Sequence, residues 1–456
     1  MNGLMLVVLC SLFCLLVYIA LKKTHVSYEA YSVANRSVGI IALTATLVMT
    51  EFNTATLISF SSLGFVSGLK ALWLPLIFLV GLMFYAVAVA HHWKGYNGVS
   101  VVDFFISRYN HKVGFLAAIF LFCAMAGFSA TYLKSLTLLF SAVLPTVNSW
   151  VISGYLTVIT LLMVIRKGLL SIIKVDICAF VLVLIGMPLI AYHVMVSPSD
   201  LMNEAHHMFQ PNLLPNDFLW SLIPITMFSY ILAPWYGQRI FAAKSSKVAF
   251  ISVMLAALFV FLLYGFGVVI TYSLALKNTP LMDAQLALPT AISQVLTGMW
   301  APLGYLLLFL VSSTTLTGVW NAMSNVALEV VPLKNSRNPH IVMTLMGALV
   351  TYGLANLLVD NILNKMILAN IPVVSLSFAL LAGFYWKKVT ILGVYVSILV
   401  GLLSGVSAYY WYGDAGFYTW YWAFYGIPLM FFCGTIVSII YPASIDRQQK
   451  TSLTYG

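Results

Sequence analysis

The sequence predicts an all-α membrane protein of about thirteen transmembrane helices, and three observations lead there. Only 7% of the 456 residues are charged, against about 25% in soluble domains, so a water-facing surface of this size cannot be coated. The hydrophobic residues, 62% of the chain, come in long runs, and runs of about 18 or more with few charges read as spanning helices. Finally, the Lys and Arg residues between those runs are segregated onto alternate loops, the pattern that orients helices in a bilayer.

Taken in order, the predicted spans are 3–21, 38–66, 70–91, 113–144, 147–166, 169–196, 217–238, 248–276, 301–331, 340–359, 361–385, 389–411 and 417–441. The first begins almost at Met1, lacks a basic n-region and is followed by Lys22 and Lys23. It reads as a retained helix rather than a cleaved signal peptide. Several spans exceed the roughly 20 residues that cross the hydrocarbon core, so they must tilt, kink or protrude.

Placing the N-terminus outside and the C-terminus inside puts seventeen Lys and Arg residues, from Lys22 through Arg239 to Lys450, on the inner loops. Only Lys70 and Lys277 then fall outside, while Lys134, Lys174 and Lys365 lie within spans. Because basic loops stay on the cytoplasmic side, this orientation is the expected one. The outer loops collect acidic residues instead, among them Asp217, Asp283, Asp360 and Asp414.

The same patterns exclude several functions. The net charge of +10 sits in short loops, so it does not point to nucleic acid. Cys10, Cys14, Cys123, Cys178 and Cys433 all fall in apolar runs without metal-ligand spacing. There is no G-x-x-x-x-G-K-[ST] for ATP, no metal-binding H-E-x-x-H and no Ser-His-Asp order. An enzyme is therefore not expected, and neither is an organic cofactor.

The informative residues are polar ones within spans. A charge near the bilayer centre costs about 2.5–3.5 kcal/mol, so an intramembrane acid is a functional candidate by default. Glu51 lies mid-span in Met49-Thr50-Glu51-Phe52-Asn53-Thr54-Ala55-Thr56. Thr and Asn compete for backbone hydrogen bonds, so a local helix break is expected there, freeing carbonyl oxygens that suit a hard cation. The alternative is that Glu51 only pairs with Lys134 or Lys174. A second polar stretch, Ser312-Ser313-Thr314-Thr315-Leu316-Thr317-Gly318 with Asn321 and Ser324, offers hydroxyls for the same cation or glue between helices. Asp176 follows Lys174 near the predicted inner end of its span, where an interfacial role is equally open. Pro224 and Pro234 interrupt the span at 217–238. Tyr230 and Trp235 beside them could stack on a solute or simply pack. Lys365, His91-His92 and His206-His207 read as structural or interfacial.

Five segments follow one another along the chain: Tyr31-Ser32-Val33-Ala34-Asn35-Arg36-Ser37-Val38-Gly39; Val101-Val102-Asp103-Phe104-Phe105 with Arg108-Tyr109; Gly168-Leu169 through Asp176; Gln238-Arg239-Ile240-Phe241-Ala242-Ala243-Lys244-Ser245; and Ser313 to Asn321. In this order they resemble the sodium:solute symporters, importers of proline, pantothenate, sialic acid and sugars. The resemblance covers roughly residues 28–330. It implies a LeuT-type fold with two inverted five-helix repeats, at about 38–196 and 217–385, each opening on a broken helix. Residues 1–37 would form the first helix and an inner loop, 386–441 two further helices, and 442–456 a cytoplasmic tail.

The resemblance also implies a sodium site built from the carbonyls of Met49, Phe52 and Val311 and the hydroxyls of Thr314 and Thr315, with Glu51 where proline-type members carry an acid important for sodium and Asp176 on the acid associated with sodium release or a second ion. The expected solute contacts beside it are Asn53, Thr56, Tyr230, Pro234 and Trp235. The sequence departs from the family pattern in carrying Glu rather than Asp at position 51, and Thr54-Ala55 where the proline type has glycine and an aromatic. Neither proline nor a sugar is therefore inferred as the solute. The implied activity is sodium-coupled import of a small organic solute (amino acid, carboxylate or vitamin-like) across the cell membrane, by a monomer or loose homo-oligomer embedded in the lipid bilayer. Proton coupling through Glu51 is the rival mechanism, and a non-transporting membrane sensor the rival class.

Overall fold

The computed structural model describes residues 34–442 except Asn97, Val99, 142–143, 165–167, 197–208, 278–280, Met282, 296–299 and 331–336. The predicted span at 3–21, Cys10 and Cys14, the segment Tyr31–Val33, His206-His207 and the tail from 443 lie outside the described residues. Within them the structure is helical, and the one β contact is an isolated parallel bridge between Val38 and Ala243.

Helices run through every predicted span from residue 38 onward. Two of those spans are broken, as the sequence leads one to expect. The first consists of α1 (Ile40–Glu51) and α2 (Thr54–Ser67), separated by Phe52 and Asn53 in extended conformation. The other consists of α9 (Asn216–Tyr230) and α10 (Pro234–Ala242), bent by 49°. Pro224 lies inside α9 without ending it, whereas Pro234 opens α10. Proline is preorganised for that first helical position, where its missing N–H costs nothing.

The remaining elements are α3 (Trp73–Tyr85), α4 (His91–Gly95), α5 (Val101–Arg108), α6 (His111–Ser141), α7 (Ser149–Val164), α8 (Gly168–Val196), α11 (Ser246–Leu276), α12 (Ala287–Val295), α13 (Trp300–Val330) and α14 (Arg337–Leu357). They are followed by α15 (Ile362–Leu368), α16 (Asn370–Ser375), α17 (Ser377–Tyr385), α18 (Ile391–Tyr412), α19 (Tyr418–Tyr421) and α20 (Ile427–Ile440). Among the described residues nine helical runs are long and apolar enough to cross a membrane, besides the bent pair and two shorter apolar helices.

One of those nine, Thr54–Gly95, is in fact a hairpin. The rings of Phe60 and Phe78 meet at 5.0 Å, whereas eighteen residues of straight helix would hold them about 27 Å apart. The chain reverses at Gly68, whose φ of 67° and ψ of −150° fall in a region open essentially to glycine alone. Gly64 lets α2 approach α11 closely, because a Cβ there would meet the Thr271 hydroxyl and the Val268 carbonyl.

Large apolar side chains such as Ile41, Leu349, Phe432 and Trp411 are exposed on the outside of the bundle. A water-soluble protein would bury them, so this belt faces lipid. Polar side chains point inward instead: Glu51, Asp176, Arg239 and the Thr314–Thr315 pair are all buried. That inversion concentrates the chemistry around α1, α9, α10 and α13.

Candidate functional site

The site starts from the break at Phe52–Asn53. An unbroken helix would donate the N–H groups of Asn53, Thr54 and Thr56 to carbonyls four residues back. Here other groups take them. The Asn53 N–H goes to the Tyr264 hydroxyl (3.1 Å), the Thr54 N–H to Ser312 Oγ (3.0 Å) and the Thr56 N–H to Asn53 Oδ1 (2.9 Å). Asn53 thus caps α2 with its own side chain, the usual work of an Asn at that position. Ser312 and Ser135 also contact the Thr54 hydroxyl.

The carbonyls released by the break find other partners. Glu51 O accepts from the Tyr264 hydroxyl (2.6 Å) and from Asn53 Nδ2 (2.8 Å). Met49 O accepts from the Thr315 hydroxyl (2.9 Å), which lies 3.0 Å from Val311 O. The Thr314 hydroxyl donates to that same Val311 O at 3.2 Å. Phe52 O loses its helical donor once the Thr56 N–H turns to Asn53. Four oxygens from two segments about 260 residues apart, Met49 O, Val311 O and the Thr314 and Thr315 hydroxyls, are therefore gathered beside the break, and Phe52 O is left without its helical donor within it. Such an all-oxygen, partly backbone set fits a hard cation. Of the residues expected at the ion site, the structure brings Met49, Val311, Thr314 and Thr315 into contact.

The two acids do not share one place. Asp176 is fully buried rather than interfacial. Its Oδ2 accepts from the Thr46 hydroxyl at 2.5 Å and lies 3.7 Å from Arg239 Nη2. Thr314 approaches the same carboxyl. Arg239 continues the network through Nε to Thr46 Oγ1 (3.1 Å) and Nη1 to the Trp235 carbonyl (3.0 Å). This corrects the reading of Arg239 as an inner-loop charge, since it sits in α10 with no exposed surface. A basic residue just past an apolar run reads as a loop because the pattern does not show that the second half of a broken helix turns inward.

Glu51 differs from expectation in another way. Its backbone belongs to the break, but its carboxylate accepts from the Tyr230 hydroxyl at 2.5 Å. It lines a cavity of about 70 Å³ that Thr314 and Thr315 do not line. Among the described residues neither Lys134 nor Lys174 pairs with it; Lys174 is exposed and Lys134 half-buried on α6. The cavity gathers Thr56, Tyr230 and Trp235 from the expected solute contacts, together with Glu51 from the expected ion site. Asn53 and Pro234 do not line it, since one caps α2 and the other opens α10.

Sequence reasoning did not foresee Phe60, Phe78, Phe128, Tyr132, Ser229 and Asn370, which complete much of the wall. Aromatic residues inside spans carry no positional signal in a chain with 14% of them. A larger recess of about 200 Å³, lined by Ser59, Ser62, Leu213, Gln285, Asn361 and Asp414, adjoins the cavity through Leu363, which lines both. Lys365 and Asp360 form an ion pair at 3.3 Å near that rim, and His92 stacks on Phe384.

Comparison with known proteins extends the geometry. A family model described as the sodium:solute symporter family matches residues 31–296, more than half of the chain. No curated protein matches the chain in sequence. A Na+-coupled sialic acid symporter, solved in a substrate-bound outward-open state, aligns over 96% of this chain and 97% of its own with a TM-score of 0.74 at 14% identity. Mhp1, a nucleobase-cation-symport-1 family transporter, aligns in its closed, bromovinylhydantoin-bound conformation over 93% and 98% of the two chains, with a TM-score of 0.59 at 14% identity. Inward-facing Mhp1 aligns over 95% and 98%, with a TM-score of 0.56 at 14% identity. At such identities the likeness carries the fold, which is that of the LeuT-type transporters. With its helical bundle, its two broken spans and the match over 31–296, the chain belongs to the sodium:solute symporter family.

Proposed function

We propose that the protein is a sodium-coupled symporter that imports a small organic solute across the cell membrane by alternating access. One observation carries this reading. The Thr315 hydroxyl on α13 lies within hydrogen-bonding distance of both Met49 O at the α1 break and Val311 O of its own helix. A sodium ion held by Met49 O, Phe52 O, Val311 O and the Thr314 and Thr315 hydroxyls would tie α1 to α13. Asp176, beside Thr314, supplies nearby negative charge that Arg239 offsets.

The break also links ion and solute. Met49 belongs to the ion set and Glu51, two residues on, faces the cavity. An ion that fixes the break therefore fixes one wall of the solute site. Each ligand then favours the same arrangement, and the two bindings reinforce one another. An inward-moving sodium ion gains about 2.3 kcal/mol per 100 mV. At one ion per turnover and about 100 mV, that charge alone supports roughly fifty-fold accumulation of a neutral solute.

The test is solute uptake into proteoliposomes containing the purified protein, with an imposed sodium gradient or an equal potassium gradient at fixed pH. The reading expects uptake only with sodium. Equal uptake in potassium with alkalinisation of the medium would indicate proton coupling instead, and absence of flux under every gradient would leave a sensor.

A further inference from the structure

Resting on the proposal that the cavity beside the α1 break is the solute site, we infer that its solute is an organic ammonium ion without a carboxylate. Three features of the cavity carry this.

The first is charge. Glu51 is the only acidic side chain in the wall, and no Lys, Arg or His lines it among the described residues. The carboxylate is buried, and its side-chain partner is the neutral hydroxyl of Tyr230. A buried charge without a counter-charge is costly, and an ammonium ligand is the simplest group to relieve it. An anionic solute would add a second negative charge in a low-dielectric space.

The second is the wall itself. Phe60, Phe78, Phe128, Tyr132, Tyr230 and Trp235 line the same cavity as Glu51. Aromatic faces attract cations, most strongly when both are desolvated.

The third is what happens to the two half-helix N-termini. In broken-helix transporters those termini are the natural receivers of an anionic substrate group. Here the Asn53, Thr54 and Thr56 N–H groups at the start of α2 are already taken by Tyr264, Ser312 and Asn53 itself. The start of α10 is Pro234, which has no N–H. Those groups are thus not offered to an anionic solute, whereas the Glu51 side chain lines the cavity.

The experiment is a thermal-shift comparison of matched probes on the full-length protein in detergent: propylammonium, 1-propanol and propionate, with tetramethylammonium as a fixed cation, each with sodium or potassium. The inference expects stabilisation by the two ammonium ions and at least tenfold weaker apparent affinity for the alcohol and the carboxylate. Glu51→Gln should reduce ammonium affinity at least tenfold. Glu51→Asp, which keeps the charge, should retain the order of preference and shows that a loss in Glu51→Gln does not stem from misfolding. Propionate binding as well as propylammonium, an unaltered ammonium response in Glu51→Gln, or no response to either ammonium ion would overturn it. The symport reading fails separately: ammonium binding that is indifferent to sodium would leave the charge preference standing and remove the coupling.

Discussion

The guanidinium of Arg239 lies 3.7 Å from the carboxylate of Asp176, and neither side chain has appreciable solvent contact. Arg239 sits in the second half of one broken helix, and Asp176 in α8, held also by Thr46 of the other broken helix. The pair therefore fastens both interrupted helices to α8 at one point. Asp176 Oδ1 has no hydrogen-bond partner among the described residues, so the network is less than fully satisfied.

Removing one partner of a buried pair leaves the other charge uncompensated, which costs about 3–5 kcal/mol. Asp176→Asn is therefore expected to lower the apparent unfolding midpoint sharply, while Asp176→Asn with Arg239→Gln recovers part of the loss. Thermal unfolding of the purified single and double variants checks this. Equal midpoints for the single variant and the unaltered protein would remove the pair from the account.

Gly68 turns the chain between α2 and α3 at a positive φ. Gly68→Ala should cost about 1–3 kcal/mol, since the conformation is essentially restricted to glycine. The ideal Cβ would also stand 3.3 Å from Phe209. A lower unfolding midpoint, with solute preference unchanged, is the expected result.

Asn53 holds the break from both sides, receiving the Thr56 N–H and donating to Glu51 O. Asn53→Ala should cost about 1–2 kcal/mol from the lost cap. It should also weaken sodium binding, because the carbonyls of the break lose their fixed orientation. Asn53→Asp keeps the capping oxygen and should restore most of the stability, which a paired melting series measures.

How much of this the sequence discloses follows from what each level depends on. The helices and the break at Phe52–Asn53 are local: hydrophobic run length and a dense Thr-Asn stretch suffice. The Met49–Thr315 contact was legible only through the family resemblance, since nothing local relates positions 266 residues apart. The direction of the Glu51 carboxylate was not legible. Its backbone ends α1 at the break, but where its side chain settles involves Tyr230, from a helix 179 residues on. Arg239 was misread for the reason that its neighbours in the chain, Lys244 and Lys247, are true surface residues. A loop charge and a buried helix charge look alike until α10 is seen to bury Arg239.

Equilibrium binding of radioactive sodium to the purified protein, without any solute, addresses the central claim most directly. The account predicts saturable binding in the unaltered protein and its loss, by at least tenfold in affinity, in Thr314→Ala with Thr315→Ala, while Glu51→Asp continues to bind. Undiminished sodium binding in the double variant would contradict an ion held between the α1 break and α13.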